Sequence, residues 1–104
     1  MEITSSELKS KIEAGESVMV AFTASWCGPC KMYKPTFQKL AESSNIPMYI
    51  MSVDDSGNGE FAAELGIRAV PTTKAFNNGG EVFSKPGMMS ENELKTVLSN
   101  IING

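Results

Sequence analysis

The stretch SVMVAFTASWCGPCKMYKPTFQKLA occupies residues 17–41. Residues 17–23 are β-rich and almost continuously apolar, as in a central strand buried on both faces. From Tyr33 onward the apolar residues Tyr33, Phe37, Leu40 and Ala41 recur at helical spacing, which gives a helix with an inward stripe. Pro35 lies inside that helix and is expected to kink it. Between strand and helix stand Cys27 and Cys30, the chain's two cysteines, separated by Gly28 and Pro29. Open α/β sheets place their sites at the carboxyl ends of strands, and the pair falls at such a place.

A CxxC pair has three readings: a redox couple, half of a metal site, or two inert core residues. Two cysteines are too few for a disulfide scaffold. Zinc takes four ligands, and the chain has no histidine and no further cysteine, so a metal would have to bridge two chains. Inert packing sits poorly with the tryptophan, glycine and proline around the pair. Redox chemistry fits better. A thiol attacks as its thiolate, and a helix N-terminus stabilises that anion with free N–H groups and positive potential. Cys27 is expected at the cap and exposed, with Cys30 one turn in and more buried. Pro29 stiffens a helix start without losing a needed N–H, and Gly28 leaves room for another chain. Residues 17–41 hold Lys31, Lys34 and Lys39 and none of the twelve acids. Lys31 in the first turn opposes the helix dipole. It either helps hold a thiolate or belongs to a solvated lysine face.

Outward from this segment the chain alternates. Thr4 with Glu7 fits a capping box, Ile3 with Leu8 a hydrophobic staple, and Gly15 a helix end. PMYIMSVD (47–54) reads as a second buried strand, DSGNG as a turn, and EFAAELG (60–66) as a short helix closed by Gly66. TTKAF (72–76) and EVFSK (81–85) read as a hairpin around NNGG, a loop suited to positive φ. Ser90 and Glu93 make a second capping box before a stripe of Leu94, Val97, Leu98, Ile101 and Ile102. The order α-β-α-β-α-β-β-α implies an α/β fold with a mixed sheet and helices on both faces.

The length of 104 residues suits one domain spanning 1–104. A net charge of −3 argues against nucleic-acid binding. No apolar run approaches a membrane span. The opening residues lack a basic start and an apolar stretch, so the cytoplasm is the expected compartment. A monomer is the default.

FTASWCGPCKMYKP (22–35) and GIRAVPT (66–72) together resemble the thioredoxin family, and the likeness runs through the hairpin and the PGM loop to the last helix. It implies a thioredoxin fold with four to five strands, the family's opening strand being short or missing here. It implies a protein-disulfide reductase in which Cys27 attacks and Cys30 resolves. The resemblance further implies that Trp26 shields the site, that Pro71 is a cis-proline facing the sulfurs, and that Val70 offers backbone hydrogen bonds to an extended substrate. Gly87 and Met88 complete an apolar rim. The implied partners are disulfide-containing proteins and a thioredoxin reductase. No cofactor is bound; NADPH and flavin act only through that reductase. The Gly-Pro spacer resembles that of reducing members. The methionines, Met32, Met88 and Met89 among them, serve either an adaptable rim or ordinary packing.

One departure stands out. The family's buried Asp falls at Ala21 and its neighbouring Lys at Ile50, so both halves of a buried ionic pair are apolar here. Cys30 is left without an evident base; Thr23 is close in sequence but a poor one. Losing both charges together leaves no orphan and favours stability, by about 1–4 kcal/mol where such pairs have been replaced. Three functions remain open: a general disulfide reductase; a redox protein dedicated to one partner, such as a ribonucleotide reductase or a peroxidase; and a non-enzymatic binding module.

Overall fold

In the computed structural model, residues 1–55 and 57–103 are described, with side chains through Ile101. Four helices and four strands follow the expected order: α1 (Ser5–Glu13), β1 (Val18–Thr23), α2 (Gly28–Ser43), β2 (Met48–Ser52), α3 (Asn58–Glu64), β3 (Thr72–Asn77), β4 (Gly80–Pro86) and α4 (Glu91–Asn103). The strands form one sheet in the order β2-β1-β3-β4. β1 runs parallel to β2 and antiparallel to β3, and β3 runs antiparallel to β4. The opening strand of the resemblance shrinks to a single bridge of Glu2 with Ile50.

Every residue of β1 is buried, which explains its unbroken apolar run. Its side chains divide by the two-residue period of a strand. Val18, Val20 and Phe22 pack with Leu8 of α1 and Phe61 of α3. Met19 and Ala21 pack with Tyr33, Phe37 and Leu40 of α2 and with Leu94 and Leu98 of α4. The α4 stripe therefore lies inward through Leu98, with Val97 and Ile101 packed beside it; the side chain of Ile102, like Ser56 of the expected turn, lies outside the described residues.

Local chemistry sets the boundaries. Both capping boxes form, Thr4 with Glu7 and Ser90 with Glu93. Asn78 (φ 54°) and Gly79 (φ 88°) turn the hairpin, the double positive φ of a type I′ turn. α3 starts two residues earlier than its sequence pattern suggests. Asn58 is buried there: its Nδ2 donates to the Ser52 carbonyl at 2.9 Å, and its Oδ1 accepts from the Ser5 N–H at 3.1 Å. Lys74 is buried too, its ammonium donating to Glu81 at 2.6 Å and to the Ser84 hydroxyl at 3.0 Å on β4. α2 runs unbroken through Pro35.

Candidate active site

β1 ends at Thr23, and three residues carry the chain to Cys27, the N-cap of α2. Cys27 has extended backbone there (φ −87°, ψ 112°), and its Sγ accepts a hydrogen bond from the Cys30 N–H at 3.2 Å. Cys30 is the third residue of α2, so its sulfur lies one turn from the cap. The two are joined as a disulfide with Cα atoms 5.3 Å apart. The chain is thus described in its oxidised form.

The structure corrects one expectation: Cys27 is only 4% exposed, against 1% for Cys30. Both cysteines cluster with Ala24, and Val53 and Val70 pack against them. Val70 comes from a loop 43 residues away, and its carbonyl oxygen lies 3.6 Å from Cys27 Sγ. The fold closes over a sulfur that a cap position alone would leave open.

The other residues expected at the site come from three loops and the start of α2. The Val70–Pro71 peptide is cis, and Pro71 is buried. Its carbonyl accepts from the Gly87 N–H at 2.8 Å, which brings the PGM loop beside the cis-proline loop. Gly87 takes φ 92° there, a conformation in which a side chain would be strained. Met88 is 43% exposed and Trp26 72%. Gly28 and Pro29 face outward, and nothing lies within 4 Å of the place where a Cβ on Gly28 would sit. Trp26, Val53, Ala62, Ile67, Arg68 and Val70 help line a shallow groove of about 200 Å³ beside the disulfide. Lys31 is exposed in the first turn of α2, which holds no acid. Among the described residues no group of three or more His, Cys, Asp or Glu could hold a metal ion.

Three features were not visible in the sequence. Asp54, just past β2, takes hydrogen bonds from the Ser25 N–H (3.1 Å) and the Ser25 hydroxyl. The Ser25 bonds hold its carboxyl below the usual carboxylate range. Asp54 lies at the carboxyl edge of the sheet, and that position was the one available signal. Tyr33 and Thr73 share a buried hydroxyl–hydroxyl bond of 2.7 Å. Burial pushes the Tyr33 phenol up to about 12. Thr23 Oγ1 is buried without a hydrogen-bond partner, a state that costs about 1–3 kcal/mol. Ala21 and Ile50, each 1% exposed, are opposite one another in the β1–β2 register, so the two apolar replacements do meet.

The thioredoxin family model matches residues 1–100. A thioredoxin of Porphyra purpurea is 30% identical over 103 residues, covering 98% of this chain and 96% of that protein. A mutant thioredoxin from Halobacterium salinarum superimposes with a TM-score of 0.84 at 31% identity, over 96% of this chain and 87% of that one. Fasciola hepatica thioredoxin does so with a TM-score of 0.84 at 29% identity, over 97% and 99%. With a cysteine pair disulfide-bonded at the head of α2, the chain belongs to the thioredoxin family and is a thiol-disulfide oxidoreductase.

Proposed function

We propose that the protein is a general protein-disulfide reductase with Cys27 as nucleophile and Cys30 as resolving thiol. The observation that carries this is the Cys27 cap. Its sulfur receives an N–H from the helix start, and no acid shares that first turn. In the dithiol form Cys27 is the thiolate that this environment favours. It attacks a substrate disulfide and forms a mixed disulfide, releasing one substrate thiol. Cys30 then attacks Cys27, and the second substrate thiol departs. Substrate lies along the groove between Trp26 and Val70, as an extended segment bonded to the Val70 backbone. Pro71 and Gly87 hold that floor, with Met88 on the rim. Gly28 and Pro29 leave the approach open, and Lys31 supports the thiolate.

A thioredoxin reductase restores the dithiol, so NADPH and flavin enter only through that partner, with no cofactor bound here. The cycle needs a reducing compartment, for which the cytoplasm is the natural setting. The acidic net charge fits protein substrates and not nucleic acid. No helix among the described residues is long and apolar enough to cross a membrane. The protein acts as a monomer on this reading.

The test is reduction of insulin disulfides with dithiothreitol as donor. Wild type turns over, Cys27→Ser does not, and Cys30→Ser accumulates a mixed disulfide. Wild-type turnover no faster than the dithiothreitol background refutes general reduction. Turnover with dithiothreitol but not with a generic thioredoxin reductase points to a dedicated reductase.

A further inference from the structure

Among the described residues, the sheet face beneath α2 carries the buried hydroxyls of Thr23 and Thr73 and no buried carboxylate. On β1, Met19 and Ala21 pack against α2, and Thr23 continues their row towards the carboxyl edge. Thr23 is fully buried, and its Oγ1 is the one buried side-chain oxygen or nitrogen among the described residues that lacks a hydrogen-bond partner. Leaving such a hydroxyl unpaired is costly, so a partner in another state of the protein is to be sought.

The partner follows from the register. The buried row of α2 is Cys30, Tyr33, Phe37 and Leu40. Tyr33 bonds Thr73 at 2.7 Å, and Thr73 lies opposite Ala21 on the neighbouring strand. That bond places the Tyr33 hydroxyl at the Ala21 level of the sheet. One turn back along α2 is Cys30, and one step further along the same face of β1 is Thr23. The hydroxyl and the sulfur therefore lie at the same end of the sheet, on the face that α2 covers. In the disulfide, Cys30 Sγ carries neither a hydrogen nor a charge. In the dithiol it carries one or the other, and a hydroxyl can serve both.

We propose that Thr23 donates a hydrogen bond to Cys30 Sγ in the reduced protein and favours its thiolate in the resolving step, in place of the carboxylate that Ala21 removes. This rests on the reductase reading above. Thr23 keeps its own proton. In the mixed disulfide Cys30 ionises, and its sulfur bonds to Cys27 as the Cys27–substrate bond breaks. The electron pair of that broken bond leaves on the substrate sulfur, which takes up a proton equivalent to the one Cys30 lost. Of the titratable and charged groups, Cys27, Lys31, Tyr33 and Lys34 share the segment of Cys30, Asp54 beyond β2 bonds Ser25, Arg68 lines the groove with Trp26 and Val70, and Glu93 on α4 acts on Tyr33. β1 supplies none.

Two measurements decide it, each on Thr23→Val and Thr23→Ser. In a Cys27→Ala background, iodoacetamide alkylation of Cys30 at pH 7 is expected to slow about tenfold in Thr23→Val and to recover in Thr23→Ser. With both cysteines present, glutathione equilibration is expected to shift about tenfold towards the disulfide in Thr23→Val, which is about 30 mV more negative. Thr23→Ala stands in if Thr23→Val does not fold. Unchanged alkylation and an unchanged potential in a folded variant overturn the proposal, because a purely structural hydroxyl would alter both redox forms alike. Insulin reduction by wild type is scored separately, so loss of the reductase reading would show there.

Discussion

Of the four helices described, α1, α2 and α4 have a side chain capping the N-terminus, and α2 builds that cap differently. At α1 the Thr4 hydroxyl accepts from the Glu7 N–H at 3.2 Å, and the Glu7 carboxylate accepts from the Thr4 N–H at 2.9 Å. At α4, Ser90 and Glu93 repeat the exchange at 3.1 and 2.9 Å. At α2 the cap is Cys27 and the third residue is Cys30. The spacing is identical, because cap and third residue are the two positions whose side chains meet at a helix start. Two helices fill them with a hydroxyl and a carboxylate, which satisfy donors and offset the dipole. The third fills them with two sulfurs and leaves the positive end without an acid. On this reading CxxC is a capping box given over to chemistry, and stability is what it relinquishes.

The largest effect comes from returning an oxygen to the α2 cap. Cys27→Ser should lose insulin reduction by roughly 10³-fold or more, as removal of a nucleophile does. Measured against the reduced wild type, its thermal stability should hold or rise, because serine caps a helix well. A clear destabilisation of the reduced form would show that Cys27 carries structure as well as chemistry. The converse change is smaller: Thr4→Ala should cost about 1 kcal/mol in denaturant unfolding and leave insulin turnover as it is. If turnover fell in step, the α1 cap would be coupled to the site.

Acid titration sharpens the contrast further. The Ser90 backbone N–H, then Lys85, hold the Glu93 carboxyl down at about 2; in an unfolded chain it sits near 4.3. Between those values the unfolded form binds more protons, so stability rises with pH there. The contribution is complete above the unfolded value and fades as pH falls towards 2. Glu93→Gln should lower stability at neutral pH and flatten that part of the acid-unfolding curve. An unchanged acid limb would mean the box contributes geometry alone.

What was legible in the sequence was local. Capping boxes, the Asn78-Gly79 turn and the cysteines at a strand–helix junction need only a few adjacent residues, so element order and the redox pair were readable. What escaped depends on register across the fold. Cys27 is buried because Val70 arrives from 43 residues away. Tyr33 meets Thr73 across 40 residues, and Lys74 is buried because Glu81 and Ser84 are placed to receive it. The resemblance to the thioredoxin family marked Ala21 as an apolar replacement, but only the pairing of Ala21 with Thr73 showed that a hydroxyl lies opposite it.

The smallest test addresses the missing acid directly. Lys31→Glu puts a carboxylate in the first turn of α2, where α1 carries Glu7 and α4 carries Glu91 and Glu93. Residue 31 is exposed, so the new charge needs no burial and its interaction with the dipole is screened. A gain of about 0.3–1 kcal/mol is expected in both redox forms at low salt. The same charge opposes a thiolate at Cys27, so insulin reduction should slow by about twofold to fivefold, a factor of matching size in free energy. Both effects should shrink together in 1 M salt, where the screening length falls to about 3 Å. A gain in stability with no loss of rate would mean that the absence of acid at this helix start is incidental. Opposed changes that fade together with salt would tie the weaker cap of α2 to the reactivity of its sulfur.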